Sequence, residues 1–162
     1  MKIRWTFRCY PTPEQEEHLI RTFGCVRFVW NWALSARTDA FRAGKRMGYP
    51  ETAKALTELK ATPEHAWLNE VSSVCLQQSL RDLQTAFSNF FAKRAAYPAF
   101  KRKEARQSAN YTGSGFSFDP ERRILKLAKI GAIKVKWSRK HIPHPSSVRL
   151  IRTASGKYFV SL

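Results

Sequence analysis

The chain has 162 residues, 43% of them hydrophobic and 13% aromatic. That is enough core material for one domain or two small ones and excludes a wholly disordered tail. No apolar run approaches the roughly 20 residues that span a bilayer. Twenty-nine Lys and Arg against twelve Asp and Glu give a net charge of +17, which calls for a polyanionic partner.

The opening segment Lys2–Cys9 alternates Ile3, Trp5 and Phe7 with Lys2, Arg4, Thr6 and Arg8. Period two predicts a half-buried strand with a basic outer face, ended by Tyr10-Pro11. Thr12, Pro13 and Gln15 then form a helix start: N-cap, first helical position and capping-box partner. Leu19, Phe23, Val26, Trp30, Ala33, Arg37 and Phe41 follow helical spacing, widened by Phe28, Val29 and Trp32. The predicted helix runs to Ala43 and stops at Gly44. A second helix fits Glu51–Lys60, and a short third begins after Thr62-Pro63 with Trp67 and Leu68. The fourth, about Ser73 to Arg94, carries one stripe of Leu76, Leu80, Leu83, Phe87, Phe90 and Phe91. Its other face is polar: Gln77, Gln78, Arg81, Gln84 and Ser88.

Composition changes after Arg94. Residues 93–162 hold 17 basic and 3 acidic residues, against 12 and 9 in residues 1–92. Ala95–Gly115 reads as a basic, partly mobile loop with Lys101, Arg102, Lys103 and Arg106. Short alternating segments follow at Phe116–Phe118, Arg123–Leu127, Ala132–Trp137, Ser147–Arg152 and Lys157–Leu162, separated by turn residues. One N-terminal strand is unstable alone. It has to join the later strands, so the expected class is α+β: a small β-barrel, oligonucleotide-binding-like, with an inserted helical bundle.

Catalytic constellations are thin. His141 and His144 are close in sequence but have no Cys or carboxylate beside them, and zinc takes about four ligands. Cys9, Cys25 and Cys75 are an odd, widely spaced set, which fits reduced thiols; Cys25 and Cys75 read as small core residues. No Gly-rich spacing suits a phosphate cradle. A metal-dependent nuclease needs clustered carboxylates, and after residue 92 the acidic residues are Glu104, Asp119 and Glu121. The expectation is a non-enzymatic chain without metal or cofactor. What remains is recognition chemistry: Arg and Lys for phosphates, Gln for base edges, aromatics for stacking. Gln77 and Gln78 are candidate readers, or an ordinary solvated helix face.

Several segments together resemble one family. The run FRCYPTPEQEEHLIRTFGCVRFVWNWAL is similar to the N-terminus of the insertion-sequence proteins called TnpB or OrfB. It carries Tyr10, Pro11, Pro13, Gln15, Gly24, Arg27, Trp30 and Asn31 at the family's positions. Further likeness lies at Trp67-Leu68-x-Glu70-Val71, at Leu76–Phe91, at Tyr97-Pro98-x-Phe100-Lys101, at Lys129–Val135 and at Gly156–Ser161. These are RNA-guided nucleases of transposons. The resemblance implies a wedge β-barrel from residues 1–11 and 95–162, interrupted by a helical recognition domain from 12–94, the region also described as a transposase helix-turn-helix. It implies guide-type (transposon-end) RNA and target DNA as partners, no membrane, and a cytoplasmic, nucleoid-associated place.

Carried over residue by residue, the reading of a target-adjacent DNA motif falls on Tyr49, Ser73 and Gln77. The backbone-binding set is Lys101, Arg102, Lys103, Arg106, Lys134, Lys136, Arg139, Lys140, Arg4 and Arg8. The family's nuclease domain and zinc-binding insert lie C-terminal to this region and have no counterparts here. That implies a truncated reading frame, an expressed fragment or a stand-alone binding module. Two other readings stay open: a lone helix-turn-helix regulator and a small basic RNA-packaging protein.

Overall fold

The structure, a computed structural model, describes residues 4–162. Alternation produces β1 (Thr6–Tyr10), which buries Phe7 and Cys9 and turns Thr6, Arg8 and Tyr10 outward. Lys2 and Ile3, part of the expected strand, lie outside the described residues.

The helix start follows its sequence signal. In α1 (Pro13–Arg42) the Thr12 hydroxyl accepts from the Gln15 amide at 3.2 Å, and the Gln15 side chain accepts from the Thr12 amide at 3.0 Å. This reciprocal cap satisfies two backbone donors that a helix start leaves open. Past the cap residue Ala43, Gly44 takes φ +71°, the left-handed geometry glycine tolerates. Next come α2 (Tyr49–Lys60), a 3-10 stretch (Pro63–Glu70) and α3 (Ser73–Phe91). The α1 and α3 helices pack together, burying Leu19, Val29 and Ala33 of one and Leu76, Leu80 and Leu83 of the other. Each large aliphatic side chain so buried contributes about 1.5–3 kcal/mol. Inside this seam the Ser79 hydroxyl donates to the Val26 carbonyl at 3.0 Å.

The remaining strands are β2 (Gln107–Thr112), β3 (Phe116–Asp119), β4 (Ile124–Leu127), β5 (Gly131–Val135), β6 (Ser147–Arg152) and β7 (Tyr158–Ser161). They join β1 in one antiparallel sheet of order β2-β6-β7-β1-β5-β4-β3. The two edge strands, β2 and β3, are consecutive in the chain, linked by the 3-10 turn Gly113–Gly115. The sheet thus curls into a nearly closed small barrel. The N-terminal strand sits in the middle of it, with all the helices entering the chain between β1 and β2. The class is α+β, a small barrel with a helical insertion.

Three expectations need correction. Ala95–Gly115 is not loop throughout: Gln107–Thr112 forms β2, registered with β6 over six pairs, with Ala109 and Tyr111 buried. Nor are the two helix-end phenylalanines core residues. Phe41 and Phe91 are 64% and 60% exposed. Residues 95–106 are irregular in form, yet side chains of α1 and Gln107 hold their backbone in place.

Candidate nucleic-acid interface

The basic loop before β2 is held by one face of α1. Asn31 clamps the Lys101 backbone at two points: its amide nitrogen donates to the Lys101 carbonyl at 3.1 Å, and its oxygen accepts from the Lys101 amide at 2.8 Å. One residue earlier, the Trp30 indole donates to the Ala99 carbonyl at 2.9 Å. Arg27 donates to Gln107 at 3.2 Å, and the Gln107 amide in turn donates to the carbonyls of Arg102, Lys103 and Ala105. The loop's backbone groups are therefore satisfied by side chains where no ladder reaches them. Lys101 turns its ammonium back over the Trp30 ring, 4.3 Å from the centroid. Burial there lowers its pKa; the nearby Asp82 carboxylate opposes that shift and Arg149 adds to it. The side chains of Arg102, Lys103 and Arg106 stay exposed.

The barrel cations form a second group. Arg8 on β1 lies between Lys136, whose amide donates to the Arg8 carbonyl at 2.8 Å, and Phe159 of β7. Its guanidinium is 5.1 Å from the Tyr10 ring and 5.5 Å from the Phe159 ring. Lys134 is registered with Tyr10. Beyond β5, Arg139 covers the Trp5 ring at 4.3 Å, and the Lys140 carbonyl accepts from Arg123. Arg4 is committed within the fold, donating to Ser147 Oγ at 2.9 Å and to the Ser161 carbonyl at 3.3 Å. In sheet order β6, β7 and β1 separate the β2 loop group from the β5 group.

On α3, Ser73, Gln77 and Arg81 are exposed and lie four residues apart, so they share one column along the helix. Tyr49, at the start of α2, meets this column through Arg81, whose guanidinium lies 4.6 Å over the Tyr49 ring. The structure thus brings Tyr49 to the expected helix face through a residue outside the expected set. Arg81 had a detectable signal, since it falls four positions after Gln77 on a polar face. Gln78 points elsewhere, with Asn110 donating to it at 3.5 Å. Ser73 also borders a cleft with Lys129, which donates to the carbonyls of Asn69 and Val71.

Electrostatics give this surface its character. Among the described residues only two ion pairs form, Arg21–Glu70 at 3.5 Å and Arg149–Asp82 at 3.8 Å. Most of the cations therefore carry no carboxylate partner. Among the described residues no three His, Cys, Asp or Glu side chains cluster, and no helix is long and apolar enough to cross a membrane. His141 and His144 are both exposed.

Comparison with known proteins decides the family. Residues 1–46 match the profile of a helix-turn-helix domain of the OrfB type. A Streptomyces pristinaespiralis protein named as an RNA-guided DNA endonuclease is 49% identical over all of this chain and 41% of its own length. InsQ of Escherichia coli K12, named likewise, is 35% identical over 96% of this chain and 39% of its own. Virulence protein VsdF of Salmonella dublin is 38% identical over 64% of this chain and 97% of its own. The chain belongs to the TnpB/OrfB family. It spans about two-fifths of the two endonuclease relatives. Within the profile-matched segment, this TnpB-family chain has one strand and one unbroken 30-residue helix among its described residues.

Proposed function

We propose that the chain is a nucleic-acid-binding module of a TnpB-like protein, with guide-type RNA and target-adjacent DNA as its partners. In this reading residues 1–11 and 95–162 act as a wedge barrel, and residues 12–94 act as the recognition part. Arg102, Lys103 and Arg106 on the clamped loop, with Lys134, Lys136, Arg139 and Lys140 around β5, contact phosphates. Tyr49, Ser73 and Gln77 read the adjacent motif, Gln77 pairing with an adenine edge. The chain itself performs no cleavage. The observation that carries the reading is the near absence of ion pairs among the many cations of the described residues. Unpaired charge at this density destabilises a lone chain and is offset when a polyanion binds.

One experiment tests both halves. Salt-dependent binding and a randomised-motif selection are run on the wild type, on Arg102→Ala/Lys103→Ala/Arg106→Ala, and on Gln77→Ala. The triple variant leaves the Lys101–Trp30 contact intact. It weakens binding to all sequences alike and flattens the log–log salt slope by roughly 0.9 for each duplex phosphate it no longer neutralises. Gln77→Ala relaxes preference at one motif position and leaves RNA affinity unchanged. An unchanged slope removes the loop from the interface, and an unchanged motif removes Gln77.

A further inference from the structure

The last turns of α1, the connection to α2 and the last turns of α3 enclose a groove of about 850 Å³. Its wall is aromatic. Phe90 and Tyr97 meet edge to face at 5.1 Å, Phe87 and Tyr97 at 5.4 Å, and Phe90 and Phe91 at 5.2 Å. Edge-on packing holds the rings but leaves the outer ones bare. Phe41 and Phe91 lie 6.4 Å apart at 64% and 60% exposure. Single exposed apolar residues are ordinary; adjacent bare rings over an aromatic cluster mark a binding surface.

The groove is also cationic. Arg37, Lys45 and Arg46 line it against one carboxylate, Glu51. That carboxylate is already committed, accepting from the Gly48 amide at 2.9 Å. The cradle is set before any ligand arrives. Arg37 donates to Gln84 at 3.0 Å and lies 4.1 Å over the Phe87 ring, and the Thr38 and Tyr97 hydroxyls bond at 2.7 Å.

We propose that this groove is a binding site for unpaired nucleotides. Their bases stack on Phe41 and Phe91, and their phosphates lie beside Lys45 and Arg46. Aromatic faces flanked by cations hold single strands because every unpaired base presents a π-face, and a duplex presents none along its length. A second copy of this chain is a poor occupant, because it would set the two copies' Arg37, Lys45 and Arg46 against each other. The assignment rests on the nucleic-acid reading above, but it uses none of the loop or β5 cations of that reading.

The test is equilibrium binding of two unpaired strands of about 12 nucleotides, within the usual site size. One carries bases and the other is abasic with the same phosphates. Wild type, Phe41→Ala/Phe91→Ala, Phe41→Trp/Phe91→Trp and the loop triple variant are compared, with sedimentation run alongside. Wild type prefers the base-bearing strand, the alanine pair loses about 5- to 150-fold of that preference per ring, and the tryptophan pair keeps it. The loop triple variant weakens both strands alike and leaves their ratio unchanged. Equal wild-type affinity for both strands overturns the proposal, as does an alanine pair with an unchanged ratio. So does an alanine pair that only dissociates a self-associated form. A lost ratio in the loop triple variant with the alanine pair unaffected sinks the groove alone; loss of all binding by the wild type sinks the wider reading.

Discussion

Asn31→Ala removes both anchors of the Lys101 backbone, the bonds of 3.1 and 2.8 Å, and deletes no cation. A net hydrogen bond contributes about 0.5–1.5 kcal/mol. The two Lys101 groups lie near the surface and regain water when released, so the loss falls toward the low end, about 1 kcal/mol in total. Trp30 and Gln107 still hold their parts of the loop, so the cost is local opening and not global unfolding. One kcal/mol multiplies the open population by about five. Trypsin reads this directly, because Lys101, Arg102 and Lys103 are all cleavage sites inside the clamp. Loop cleavage under native conditions therefore accelerates about fivefold while the urea midpoint stays within error. Phosphate-dependent affinity falls only when the open form dominates, so the binding loss is smaller than the rise in cleavage rate. Wild-type cleavage rates in Asn31→Ala would refute the clamp, and a collapsed urea midpoint would refute its local character.

Two further outcomes follow from packing and titration. A Cβ on Gly115 would sit 3.0 Å from Val74 Cγ1 and 3.2 Å from Val74 Cβ, so Gly115→Ala costs about 1–3 kcal/mol by overpacking the β2–β3 turn on α3. Adding Val74→Ala removes the Cγ1 contact but keeps the Cβ one and so recovers part of that loss, and thermal melts showing an unperturbed single variant would contradict this contact. Burial pushes the Cys9 and Cys75 thiols up to about 12 and Cys25 to about 11, from 9.0. Above pH 9 the unfolded chain therefore loses thiol protons that the folded chain keeps, and stability falls as pH rises, by up to about 1.4 kcal/mol per unit per thiol. Urea midpoints between pH 8 and 10.5 show a steeper decline in the wild type than in a Cys9→Ala/Cys25→Ala/Cys75→Ala variant; parallel declines would contradict thiol burial.

What was legible in the sequence was what local chemistry decides. Thr12, Pro13, Gln15 and Gly44 bound α1 because caps act within a few residues. The strands β4 to β7 showed in their alternation because one face of each is buried. By contrast β2 was hidden. Its inward residues are Ala109 and Tyr111, a small apolar signal among Gln107, Ser108 and Asn110, and its partner β6 lies some 40 residues on. Pairing over that distance leaves no local mark. Phe41 and Phe91 misled for a related reason. Helical spacing tells which face a residue occupies, but not whether a neighbouring element covers that turn. At the site, Gln77 was legible as an exposed helix residue. The Arg81–Tyr49 contact was not, because it joins residues 32 positions apart.

The same distance effect explains the family's N-terminal signature. Arg27, Trp30 and Asn31 look like a helix face of unassigned polarity until their partners are seen at Gln107, Ala99 and Lys101, some 70 to 80 residues away. At the start of the helix Gln15 does the same. Besides capping α1, its amide donates to the Ala132 carbonyl of β5 at 2.8 Å. The helix α1 is thus tied to the barrel at β5 and to the basic loop at its middle, with its apolar side spent against α3. A helix that reads DNA in a groove must offer a free polar face at its N-terminal turns, and here those turns carry Glu14, Glu16 and Glu17, which repel phosphate. Within the segment that matches the helix-turn-helix profile, the first turns and the middle of α1 are therefore scaffold, and the end of the segment supplies Phe41, Lys45 and Arg46 to the groove wall. Contact with nucleic acid falls, on the proposed reading, to what that scaffold holds in place: the clamped loop, the α3 column and the aromatic groove.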